Sequence, residues 1–231
     1  MRAVLTICFL LTSCARSPQS PPKPAPPDKI FLWVWDRADD LRFLHPGEAE
    51  VAALMQTIYL RNGHAEPWNR KLPLLLPEGL QPTPVIRLES DGSALPPPEN
   101  VAYSLPFKQP FQIDFDVRES QLPWYRELLA LARQRQVPVS ITSVMSACLD
   151  NPPLTGLANE IVPMLFRMGP QRNVYLAKLQ TRGQFAEGCR DSLGLATDEP
   201  LPFRPAAKRI YVFNPNRWSR QSFDQIRSRL R

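Results

Sequence analysis

Eight short apolar runs rich in β-branched and aromatic residues, bounded by turn-forming residues and separated in places by helical periodicity, predict an α/β fold. Eight strands in roughly 200 residues fit one irregular (β/α)8 barrel of the TIM-like kind, near the lower end of its size range, with some helices replaced by Pro-rich loops. An open parallel α/β sheet is the alternative. Proline explains the irregularity: 27 prolines in 231 residues imply long, stiff connections.

In chain order, the runs are Lys29 to Asp36 (KIFLWVWD), Thr57 to Arg61, Thr83 to Glu89 (TPVIRLE), Phe111 to Val117 (FQIDFDV), Pro138 to Met145 (PVSITSVM), Ile161 to Arg167 (IVPMLFR), Ser192 to Thr197 and Arg209 to Asn214 (RIYVFN). Glu48 to Gln56 is rich in Ala and Glu and reads as a helix. Ser120 is a cap candidate for a helix with Tyr125, Leu128, Leu129 and Ala132 on one side. Ser219 does the same for a helix carrying Phe223, Ile226 and Leu230. No helical period runs through 72–83 or 90–110, so two outer helices are expected to be missing.

The fourth run is the most informative. Strict alternation sets Asp114 and Asp116 on one face and Ile113, Phe115 and Val117 on the other. Residues two apart on a strand lie roughly 6.6 Å apart, close enough for each carboxylate to shift the other's pKa. Functional residues of such barrels gather at the C-terminal ends of the strands. That rule, applied with the aromatic residues of the same strands, selects Asp114, Asp116, Glu119 and Glu160 as candidate catalytic acids. As candidate substrate contacts it selects Trp33, Trp35, Asp36, Glu89, Thr142, Met164, Arg167, Asn214 and Trp218. Carboxylates beside tryptophans suit carbohydrate, because aromatic faces stack on sugar rings and acids bind hydroxyls or protonate a leaving oxygen. The structural alternative locks the same acids in pairs with Arg87, Arg118 or Arg167.

The N-terminus reads as an address. MRAVLTICFLLTSC has one early cation and an apolar run far shorter than the ~20 residues a membrane span needs. Leu11, Thr12, Ser13 and Cys14 resemble the lipobox of bacterial lipoproteins, which implies a signal peptide over 1–13, lipidation of Cys14 and an anchored Pro-rich linker over 14–28 ahead of a domain at 29–231; the alternative is ordinary secretory cleavage after Ala15, since Ser13 and Ala15 also form a small-x-small site. Ala15 as the second mature residue implies, by the same resemblance, the outer membrane facing the periplasm. The linker, RSPQSPPKPAPPD from Arg16, favours an extended chain with a reach of about 40 Å. With Cys8 in the signal and Cys14 lipidated, Cys148 and Cys189 remain, and an oxidising periplasm pairs them as a disulfide.

Other classes are disfavoured. The formal charge of +6 comes from scattered cations, and export removes nucleic acid as a partner. The basic stretch Arg204 to Arg231, with eight Lys/Arg against Asp224 alone, reads as a solvated helix face. His45 and His64, the two histidines, exclude a multi-histidine zinc site. The chain has no Gly-rich phosphate loop and no GxSxG elbow, so neither nucleotide binding nor a serine hydrolase is expected, nor any metal or cofactor.

FLWVWDRADDLRFL, QIDFDVRES, SITSVMSACL, EIVPMLFRMG, ATDEP and RIYVFNPNRW resemble successive motifs of the bacterial domain of unknown function 3142 family of exported or lipid-anchored proteins. The resemblance covers the mature domain and implies no activity. A weaker one is to family 18 glycoside hydrolases, whose fourth barrel strand carries alternating acids ending in a catalytic glutamate. Asp114 and Asp116 match the alternating acids. Arg118 stands where that glutamate belongs, Glu119 comes one residue late, and Phe166 departs from the tyrosine pattern beside Met164. These resemblances imply an envelope barrel that binds or cleaves a cell-surface glycan; the alternative is a non-catalytic envelope scaffold.

Overall fold

The computed structural model describes residues 24–230 except positions 107 and 151. The expected signal peptide, Cys14 and most of the expected linker lie outside the described residues. The strands are β1 (Lys29–Val34), β2 (Asp39–Asp40), β3 (Glu50–Arg61), β4 (His64–Asn69), β5 (Leu74–Leu75), β6 (Thr83–Ser90), β7 (Phe111–Asp114), β8 (Val139–Val144), β9 (Glu160–Met164), β10 (Ser192–Ala196) and β11 (Arg209–Phe213). β1, β3 and β6 to β11 pair in parallel, in chain order. Because β1 bonds both β11 and β3, the sheet closes into an eight-stranded barrel. The open-sheet alternative is thereby excluded. β4 folds back antiparallel on β3 through an Asn62-Gly63 turn with both φ angles positive, the conformation that two-residue hairpins require. β2 and β5 form a two-residue ribbon.

Each barrel strand presents two faces because side chains alternate. The outward face packs a large core with Ile113, Phe115 and Ile141 beneath the outer helices. The inward face is a small cluster built on Trp33, Ala52, Leu54, Val85, Val162 and Tyr211. Trp33 is 1 % exposed and fills the interior: its indole N–H donates to Gln112 Oε1 at 2.7 Å, and Gln112 donates in turn to Ser140 Oγ. Gly194 on β10 makes room for it, since a Cβ there would stand 2.8 Å from the indole ring.

The outer layer is sparse. α1 (Pro98–Ala102) is a single short turn of helix, and α2 (Leu122–Arg133), α3 (Arg172–Arg182) and α4 (Arg220–Leu230) follow β7, β9 and β11. α2 buries Tyr125, Leu128, Leu129 and Ala132, and α4 buries Phe223, Ile226 and Leu230, the two stripes read from the sequence. Ser219 and Ser222 exchange side-chain to backbone hydrogen bonds and so cap α4, whereas Ser120 lies inside a 3-10 turn that leads into α2. Most of the helix expected over Glu48 to Gln56 is instead the first half of β3, which begins at Glu50. Its VAAL segment is buried on both faces, and a strand of that kind loses the alternation that identifies it.

Two clasps hold the loops. Glu48 accepts hydrogen bonds from Arg220 and Arg227 of α4 and from the His45 backbone N–H, which hold its carboxyl down at about 2, Arg220 contributing most. Cys148, in a 3-10 turn directly after β8, is disulfide-bonded to Cys189, with Cα atoms 5.8 Å apart. The expected pairing is thus present.

Candidate functional site

The parallel strands point their C-terminal ends at one mouth, which holds a cavity of about 530 Å³. β7 ends at Asp114, three residues earlier than expected, and a hydrogen bond from the Val117 N–H to the Phe115 carbonyl turns the chain at Asp116. Both acids nonetheless line the cavity. Their environments differ. Asp116 is exposed, whereas the Asp114 side chain is only 13 % exposed and accepts a 2.7 Å hydrogen bond from Thr142 Oγ1.

Arg87 Nε lies 3.9 Å from Asp114 Oδ2, beyond hydrogen-bond length, while Arg87 makes its close contact, 2.8 Å, with Glu89. Asp114 is therefore incompletely compensated. Burial pushes its carboxyl up to about 6; Asp116 and Glu89 add to the shift, and the Thr142 hydrogen bond and Arg87 oppose it.

Facing these groups is an aromatic wall. Phe166 and Phe213 stack with centroids 5.7 Å apart, Trp35 meets Phe213 edge-on at 6.1 Å, and Trp33 meets Phe166 likewise. Arg87 lies over the Trp35 ring at 5.9 Å. Arg167, at the rim, has φ of +53° and binds Asp198 and Glu199, joining the loop after β9 to the loop after β10. Those contacts raise its pKa, Asp198 contributing most, and commit the guanidinium to the rim.

Of the residues selected from sequence, Trp33, Trp35, Asp114, Asp116, Thr142, Met164 and Arg167 line this cavity, Trp33 as its plug. The others lie elsewhere. Glu160 begins β9 and so lies at the opposite, N-terminal end. There it takes Arg209 at 2.7 Å, Tyr211 Oη at 2.8 Å and the Ser192 hydroxyl, a structural network that engages both carboxylate oxygens. Glu119 is exposed in the 3-10 turn before α2, outside the cavity lining.

Trp218 is 4 % exposed within the outer core, its indole N–H bonded to the Trp33 carbonyl, because the chain doubles back after β11. Asn214 is buried and shapes that same turn through Thr197 and the Asn216 N–H. Asp36 projects from a tight turn closed by the Arg37 N–H and the Trp35 carbonyl, and Glu89 reaches the site only through Arg87. Arg118 packs over Gly92, where a Cβ would meet its guanidinium at 2.8 Å.

Arg87, Val144, Met145, Phe166, Met168 and Phe213 complete the lining and had a sequence signal only in part. Phe213 shares the inward period with Tyr211, whereas the residue after the strand, Asn214, does not. Among the described residues, no three His, Cys, Asp or Glu side chains converge as a metal site, and no helix is long and apolar enough to cross a membrane. The chain matches no family model, no curated protein and no solved structure.

Proposed function

We propose that this protein is an exported, lipid-anchored envelope protein of the domain of unknown function 3142 family whose barrel mouth takes a glycan. One observation carries the reading: Asp114 and Asp116 face an aromatic wall of Trp35, Phe213 and Phe166 across a cavity of about 530 Å³. A space of that size with a few convergent polar groups suits a small ligand or chain segment, and the pairing of acids with flat apolar rings suits sugars. The disulfide supports an oxidising compartment. Incorporation of a labelled fatty acid, lost in Cys14→Ser, tests the anchor.

Within this reading Asp114 is the proton donor for hydrolysis. Thr142 engages Oδ1, which leaves Oδ2 to hold a proton, and a carboxyl titrating near 6 keeps a useful fraction protonated in mildly acid medium. Asp116, exposed at the mouth, stabilises positive charge developing on the sugar ring. Turnover then falls as pH rises through about 6.

Polysaccharide pull-downs and reducing-sugar release across a broad panel test both steps. Trp35→Ala is expected to weaken binding at least tenfold, and Asp114→Asn to abolish turnover while binding persists. Absence of binding to every glycan in the panel overturns the reading. The ion pairs of Arg167 with Asp198 and Glu199 favour a second reading, a non-catalytic scaffold. It gains if Asp114→Asn and Trp35→Ala alter stability alone.

A further inference from the structure

The cavity is divided by chemistry. Arg87, Asp114 and Asp116 make one side polar; the side built from the ends of β8 and β9 carries Val144, Met145, Met164, Phe166 and Met168. Three of the chain's five methionines thus lie on one wall. Thioether side chains are unbranched and polarisable, so they mould to flexible apolar groups. Val144 is the most telling member: although it ends a buried strand, it is 43 % exposed, an apolar side chain left open at the mouth.

Arg167 borders this wall just after β9, but its guanidinium is engaged by Asp198 and Glu199 at the rim. The wall is also braced, because Met145 belongs to the same 3-10 turn as Cys148, which the disulfide ties to Cys189. Sugar rings stack on the flat Phe166 face, whereas the flexible thioether part of the wall suits an alkyl chain better than a hydroxylated ring.

We infer that the mouth is specific for glycosides bearing an apolar substituent, an alkyl or acyl chain that lies on the Val144–Met164–Met168 wall while the sugar occupies the Asp114–Asp116 side. The inference rests on the reading of the mouth as a sugar site and adds the class of glycoside it selects.

The test titrates the full-length protein by calorimetry with hexyl to nonyl β-glucopyranosides, below their micelle concentrations, and with the matching straight-chain alcohols. Glucoside affinity is expected to rise two- to about fourfold per methylene. In Val144→Ser combined with Met168→Ser the rise per methylene falls towards one, with thermal melting as the control for folding. If the double variant melts early, Val144→Ser alone, at an exposed position, supplies the comparison. A series with no rise, or no binding at any chain length, overturns the inference. Alcohols that bind as tightly as their glucosides keep the apolar wall and overturn the sugar reading. Unsubstituted oligosaccharides that bind as tightly as the nonyl compound do the reverse.

Discussion

The two ends of the barrel treat a buried acid in opposite ways. At the N-terminal end Glu160 is held by Arg209, Tyr211 and Ser192, so that both carboxylate oxygens have close partners. At the mouth Asp114 has one good hydrogen bond and a cation 3.9 Å away. The first arrangement is a structural tie. The second leaves electrostatic cost unrelieved, and a carboxyl in that condition holds its proton and is available for chemistry. The ends are also secured differently: ion pairs close the floor, and a covalent link supports the loop after β8 at the mouth.

Cutting that link gives the largest expected effect. Replacing Cys148 and Cys189 together by Ala, residues 41 apart in sequence, is expected to cost about 4 kcal/mol from chain entropy, read by urea denaturation. A loss below about 1 kcal/mol would mean that packing, not the bridge, holds the wall. The plug between the two ends comes next. Gly194→Val drives a side chain into the Trp33 ring, and about 3 kcal/mol of destabilisation is expected from overpacking. Unchanged stability would show that Trp33 has room to move.

The acids themselves should respond with opposite signs. The Asp114 pKa of about 6 in the folded protein lies above the unfolded value near 4, so its contribution is fully present below pH 4 and is lost as pH rises through 6. Asp114→Asn is therefore expected to stabilise at pH 8 by up to about 3 kcal/mol, with no difference below pH 4. Glu160→Gln is expected to destabilise by about 2 kcal/mol at pH 7, less than a fully buried pair because Arg209 is partly exposed. Paired melting curves of both variants decide the matter; equal signs would erase the contrast between the ends.

The smallest effect belongs to Glu48. Its folded pKa of about 2 lies below the unfolded value of 4.5, so the stability it contributes is present above pH 4.5 and disappears as pH falls through 2. Glu48→Gln is expected to cost about 1 kcal/mol at pH 7, and the gap from the wild type should close on acidification.

Local pattern accounts for what was legible. The eight barrel strands were marked, β3 only in its second half, by short apolar runs bounded by turn-forming residues, and the stripes of α2 and α4 by the 3.6-residue period that each helix carries by itself. α3 left little trace because it buries only Leu176 and Leu179. β3 was half hidden because burial on both faces removes alternation. In the site, Asp114 and Asp116 were legible because the inward period continues past the strand end. Trp218 was not, because its position depends on a turn held by Asp39 and the Trp33 carbonyl, residues more than 170 positions away.

What the sequence by itself determined is thus the eight barrel strands and the shared face of Asp114 and Asp116, since these depend on neighbours along the chain. Tertiary structure decided which acids are neutralised and which aromatic rings reach the cavity. Closure brought Arg209 to Glu160 but left Arg87 short of Asp114, and turned Trp218 into the core while aiming Phe213 at the mouth. Compensation of a charge and exposure of a ring depend on distances across the barrel, and no local periodicity encodes those.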